Sequence, residues 1–171
     1  MKNIVIGIAI FIALIIAGAL IFTGGDKIVR EEEGKFDKIS PFTLSDWNGN
    51  AVSLSDFEGR PLILNSWAAW CPFCVKELPA FGALQEELGN SVVIIAINRA
   101  ESTERQKGFI DNLRLTDKLI FLNDPHDSFY KSIGGFGMPE TLFVDGKGNI
   151  RLHKRGPIGL EELRRTVRAV F

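Results

Sequence analysis

Cysteine is scarce in this chain, since 171 residues contain only Cys71 and Cys74. Histidine is as rare, with His126 and His153 far apart and at no ligand spacing, so a four-ligand zinc site has too few partners. Past residue 22 the charge balance is 19 basic residues against 21 acidic. Such a balance leaves no positive footprint for nucleic acid, and none is expected as a partner. Internal repeats and low-complexity tracts are missing too, which excludes solenoids and disordered arrays.

Charge is absent altogether from Ile4 to Phe22, nineteen residues reading IVIGIAIFIALIIAGALIF. As a helix rising about 1.5 Å per residue, this run is about 28 Å long, close to the hydrocarbon thickness of a bilayer. A cleaved secretory signal is the competing reading, because Ala17-Gly18-Ala19 resembles a small-residue cleavage site. Leu20, Ile21 and Phe22 carry the apolar run past that site, and the expectation is a retained single-pass anchor over residues 4–22. Lys2 lies in a cytoplasmic amino terminus of residues 1–3, while Asp26 to Glu33 on the other flank sum to negative charge. Positive charge stays inside. The body is therefore expected outside the cytoplasm, on the periplasmic side of the cell membrane, where a disulfide persists. Residues 23–34 read as a polar linker, and residues 35–171 as one domain long enough for a full core.

Within that domain the pattern alternates between strand and helix. Phe42–Leu44 and Ala51–Leu54 flank the turn signal Asn48-Gly49 and read as a hairpin. Leu62–Trp67 is nearly continuous in apolar character, as a buried central strand is. Val75, Leu78, Phe81, Leu84 and Leu88 mark one face of a helix from Pro72 to Leu88, kinked at Pro79. Ser91–Ile97 reads as a second buried strand. Thr103 with Gln106 forms a capping box for a helix to about Leu115. An edge strand over Leu119–Leu122 and a short helix over Asp127–Ile133 follow. After the glycine-rich loop 134–139 come a hairpin of Thr141–Val144 with Asn149–Leu152 and a closing helix whose apolar face is Leu160, Leu163, Val167 and Val170.

Trp67 to Pro79, WAAWCPFCVKELP, holds both cysteines. A CxxC pair is a structural disulfide, half a metal site or a redox couple. A disulfide closing so short a loop removes little unfolded-state entropy, and zinc lacks partners, so the redox couple is the reading for a pair placed between a buried strand and a helix. The helix start offers partial positive charge to a thiolate. Pro72-Phe73 carries no group that would stabilise that thiolate further, which points to a reducing couple. No metal and no cofactor beyond the Cys71-Cys74 disulfide are expected.

Trp-Ala-Ala-Trp70, Cys71-Pro-Phe-Cys74, Pro79 and Gly137-Met-Pro139-Glu-Thr141 together resemble the membrane-anchored thioredoxin-like proteins of the TlpA, ResA and CcmG (DsbE) group. The resemblance covers residues 35–171 and implies an α/β thioredoxin-like fold, a central mixed sheet with helices on both faces, an added amino-terminal hairpin and one inserted helix. It implies Cys71 as the exposed attacking thiol, Cys74 as the buried resolving one and Glu77 as an acidic residue that relays protons to Cys74. It also implies a cis Met138-Pro139 bond facing the cysteines. Trp70, Pro72, Phe73, Met138, Pro139 and Glu140 are the expected substrate-binding residues. Trp67 is read as core, and both histidines as exposed and without function.

The activity so implied is a thiol:disulfide oxidoreductase that reduces protein disulfides, such as the CxxCH cysteines of apocytochrome c. A membrane thiol carrier would supply its electrons. The alternatives are a broad-specificity oxidoreductase of exported proteins, a non-catalytic binding module, and a peroxiredoxin. The peroxiredoxin pattern has threonine three residues before the cysteine, where Ala68 stands.

Overall fold

A seven-stranded mixed sheet, ordered β2-β1-β5-β4-β3-β6-β7, is the frame of the computed structural model, which describes residues 38–171. The expected anchor over 4–22 and linker over 23–34 lie outside the described residues. Among the described residues, no helix is long and apolar enough to cross a membrane.

The chain enters through the hairpin β1 (Thr43–Ser45) and β2 (Ala51–Ser53). Asp46 closes its turn by accepting the Asn48 and Asn50 N–H groups, each at 2.8 Å, and Gly49 takes the left-handed φ of +83° that the turn requires. Leu54, expected in the second strand, instead opens a 3-10 turn over Leu54–Phe57. The Asp56 carboxylate accepts the Ser53 N–H at 2.8 Å and ends the strand there.

The centre follows from hydrophobicity. β3 (Leu62–Trp67) is buried along its whole length and pairs in parallel with β4 (Val93–Arg99), Leu62 opposite Val93 and Trp67 opposite Asn98. β4 begins two residues later than its apolar run predicts, because Ser91 N–H still turns back to the Leu88 carbonyl at 3.1 Å. At its other end β4 runs two residues past Ile97, because pairing with β5 continues to Arg99 opposite Asp124, and this leaves Arg99 at the carboxyl end of the sheet. β5 (Ile120–Asp124) pairs in parallel with β4 and is not the edge strand expected: β1 lies on its other side, with Ser45 opposite Asn123. β6 (Glu140–Val144) runs antiparallel to β3, and β7 (Ile150–Arg155) forms the edge beyond it.

Alternation along the strands divides the core in two. Ile63, Trp67, Ile94, Ala96 and Phe143 meet α1 (Pro72–Leu88), α2 (Thr103–Asn112) and α4 (Leu160–Val170). Leu62, Leu64, Ile95, Ile97 and Leu142 face the other way, covered by Phe57, Phe129, Tyr130 and Ile133. Among the described residues, the α-helix on that second face is the five-residue α3 (Ser128–Ser132).

α1 runs through Pro79, where no N–H is available for the Val75 carbonyl. α2 differs from expectation at both ends. Its cap is Ser102, whose hydroxyl accepts the Arg105 N–H at 3.4 Å, and Thr103 is already helical. It stops at Asn112 because Arg114 adopts a left-handed φ of +56°. Leu115 then packs onto α1 at Gly82, where any Cβ would lie 2.5 Å from the Leu115 side chain.

Candidate active site

β3 ends at Trp67, the chain turns through Ala68, Ala69 and Trp70, and α1 begins with Cys71 as its N-cap. The Cys71 N–H donates to the Ala68 carbonyl at 3.1 Å, which closes the turn. Pro72 occupies the first helical position, where its fixed φ suits the helix and no donor is missed. Cys71 and Cys74 are joined in a disulfide, and the Cys74 N–H points at Cys71 Sγ from 3.2 Å. A thiolate formed on Cys71 would therefore receive a backbone donor and the positive end of the helix. Cys74 is fully buried, and Cys71, expected to be exposed, is only 5% exposed in this disulfide. Its sulfur is engaged by Cys74 and by that amide, so little of the residue is left to face solvent.

A cleft of about 370 Å³ opens over the disulfide, lined by Trp70, Cys71, Pro72 and Phe73 on one side and Phe136, Gly137 and Met138 on the other, with Arg99 and Tyr130. Trp70 is 57% exposed, Phe73 62% and Phe136 91%. The peptide bond from Met138 to Pro139 is cis.

Glu140 does not line this cleft. It is fully buried and accepts the Phe136 N–H at 2.6 Å and the Gly137 N–H at 2.8 Å, with Tyr130 Oη at 3.3 Å on the same oxygen and His153 Nε2 at 2.6 Å on the other. Burial raises its pKa, but the hydrogen bonds from His153, Gly137 and Phe136 outweigh that and hold the carboxyl below its ordinary value. Burial, followed by the Glu140 charge, pushes the Tyr130 hydroxyl up to about 12, so it acts as a donor. Glu140 thus holds the loop that presents Phe136 and Met138, and the expected substrate contact is corrected to this supporting place. His153, expected to be exposed, has its side chain buried against that carboxylate; His126 is exposed. Glu140→Ala would strand two backbone donors and is expected to cost about 3 kcal/mol of stability. Urea unfolding measures it, and an unchanged midpoint would contradict the assignment.

Glu77 lies one helical turn after Cys74, on the buried face of α1. Asn65 Nδ2 donates to its Oε1 at 2.7 Å and the Ile158 N–H to its Oε2 at 2.9 Å. Burial dominates over these donors and over the Lys154 charge, and pushes its pKa from 4.5 to about 7. A group poised there can take or give a proton at neutral pH.

Arg99 and Tyr130 were not singled out by the sequence. Arg99 donates to both Asp127 oxygens, at 2.8 and 2.7 Å, and its Nη1 lies 2.9 Å from Met138 Sδ. Its guanidinium carbon sits 3.5 Å from the centre of the Tyr130 ring. Gly135 lies so close to that ring that any Cβ would meet it at 2.5 Å. A charge closing an apolar strand at the carboxyl edge of a parallel sheet is the signal that points to Arg99. Among the described residues, no three His, Cys, Asp or Glu side chains converge to hold a metal ion.

Residues 35–167 match the family model described as Redoxin. The thioredoxin-like protein YneN of Bacillus subtilis is 32% identical over 132 residues, 75% of each chain. The thiol-disulfide oxidoreductase ResA of Bacillus thuringiensis is 29% identical over 157 residues, 90% of each. Among solved structures, StoA from Bacillus subtilis superposes with a TM-score of 0.65 at 25% identity, over 77% of this chain and 98% of that one.

Proposed function

The chain belongs to the Redoxin family and is a thiol-disulfide oxidoreductase of the ResA type; from that premise we propose that it is a membrane-tethered reductase of protein disulfides outside the cytoplasm. The observation that carries this reading is the Cys71-Cys74 pair beneath a cleft with three exposed aromatic rings. The uncharged run over 4–22 and the charges flanking it support the location.

In the proposed cycle the Cys71 thiolate attacks a substrate disulfide. One Sγ–S bond forms, the substrate S–S bond breaks, and one substrate thiolate leaves. Cys74 then attacks Cys71 Sγ, the second substrate thiolate leaves, and the Cys71-Cys74 disulfide closes. Glu77 takes the proton that Cys74 loses. Two electrons have passed to the substrate, and a membrane dithiol carrier returns them to the pair. The resemblance to the ResA and CcmG group supports the CxxCH cysteines of apocytochrome c as the substrate. Cys74→Ser is expected to trap substrates on Cys71; recovery of a CxxCH protein supports this task, and a set of unrelated exported proteins without one would instead favour the broad-specificity reductase.

Trp70, Phe73 and Phe136 form an apolar rim suited to a peptide chain. For Phe136→Ala, KM for a peptide disulfide is expected to rise about fivefold with kcat kept, the loss of ~1 kcal/mol of contact. Steady-state kinetics decide it, and a loss confined to kcat would refute the contact.

A further inference from the structure

Ala69 lies two residues before Cys71, in the turn beyond the last residue of β3. Its N–H donates to Glu101 Oε2 at 2.7 Å, and the same oxygen accepts Asn98 Nδ2 at 2.8 Å. Arg105 Nε is 2.9 Å from the other oxygen. The Glu101 side chain is 5% exposed, so a charge is kept almost out of water to hold one amide of the active-site turn. Hydrogen bonds to an ionised acceptor are about twice as strong as neutral ones, and this one fixes a segment that no strand pairing reaches.

Glu101 is itself held from behind. Gln106 Nε2 donates to its carbonyl at 3.0 Å, while Gln106 Oε1 accepts Trp47 Nε1 at 3.0 Å. Trp47 stacks on Phe121 with 4.7 Å between ring centres and 7° between planes, and Phe121 meets Trp67 edge-on at 6.3 Å. A continuous set of contacts thus runs from the amino-terminal hairpin through Gln106 and Glu101 to the turn before Cys71.

We infer that Glu101 is a positioning residue for disulfide exchange, which sets Cys71 against the opposite wall of the cleft at Gly137 and Met138 and is braced by the hairpin through Gln106 and Trp47. The chemistry follows from reach. An extended substrate must lie along the wall and present its sulfur in line with Cys71 Sγ, and a displacement of about 1 Å in such an alignment costs up to about 100-fold. A small reagent needs no wall. Freeing the turn should therefore slow exchange with a peptide disulfide and spare reaction with a small electrophile.

The inference rests on Cys71 as the attacking thiol, and the test separates the two. In the full chain, reduction of a peptide carrying one internal disulfide is compared with iodoacetamide alkylation of reduced Cys71. For Glu101→Ala, kcat/KM for the peptide is expected to fall about tenfold while alkylation stays within about twofold of the parent. Glu101→Gln, which keeps an oxygen for the Ala69 N–H, should recover most of the peptide rate. Equal losses in both assays, no loss in either, or a Gln variant as slow as Ala would each overturn the inference. If Glu101→Ala does not fold, Gln106→Ala serves: the expectation is about a threefold loss on the peptide with faster exchange of the Ala69 amide hydrogen, and no change in either overturns it. A parent chain that reduces no peptide disulfide would sink the reductase reading and this inference with it.

Discussion

Cys71→Ser is expected to abolish disulfide reduction, with a loss on the order of 10³-fold or more, as removal of a covalent nucleophile requires. The two sulfurs are unequal in the fold. Cys71 caps α1 and borders the cleft, with the Cys74 N–H 3.2 Å from its Sγ. Cys74 is fully buried, so a protein substrate cannot reach it before Cys71 has reacted. Cys74→Ser should therefore keep the first attack and lose only turnover, giving one mixed disulfide per chain. Single-turnover kinetics and a nonreducing gel distinguish the variants. A Cys71→Ser chain retaining more than about a tenth of the activity, or a Cys74→Ser chain forming no adduct, would remove Cys71 from its assigned place.

Stability should fall as pH rises through neutrality, and Glu77 should be the cause. Its carboxyl titrates near 7 in the fold against an ordinary 4.5, because burial disfavours its charge. Between those values the folded protein holds a proton that the unfolded chain has released, so unfolding gains with increasing pH. The contribution is fully present below pH 4.5 and is lost as pH passes 7. At about 1.4 kcal/mol per pH unit, the loss is about 3 kcal/mol. Other carboxylates, such as Asp46 and Asp127, are held below their ordinary values and slope the opposite way at lower pH. The observable is therefore the difference between the parent and Glu77→Gln in urea unfolding at pH 5 and pH 8. The parent should lose about 2.5 kcal/mol more than the variant across that range, which starts just above the unfolded value and so covers most of the full loss; parallel behaviour would refute the assignment.

The contrast between Glu77 and Glu140 shows how far local pattern reaches. Both stand near the cysteines in the sequence reading, one by helical spacing and one by the Pro-Glu-Thr run. Spacing from Cys74 predicts that Glu77 sits a turn further along α1, but not that Asn65 and Ile158 close around it. Glu140 alternates inward at the start of β6, and its donors come from residues 130, 136, 137 and 153. His153 looked exposed for the same reason: a lone polar residue in an edge strand gives no local sign of a buried partner. β5 looked like an edge because its apolar run is short, while the strand that covers it lies some 75 residues earlier.

Sequence alone determined the parts whose cause is local. Apolar period places β3 and α1, Asn48-Gly49 places the first turn, and the spacing of Cys71 and Cys74 at a helix start specifies thiol chemistry. Only the tertiary structure decided which side chains surround that pair. Arg99 and Glu101 at and just past the end of β4, Tyr130 in α3 and Phe136 in the loop before β6 reach the site from three separate segments. Their meeting depends on sheet order, on the pairing of β4 with β5 that continues as far as Arg99, and on buried charges that must find partners wherever the fold brings them. No window of sequence contains those distances, because they are set by long-range packing.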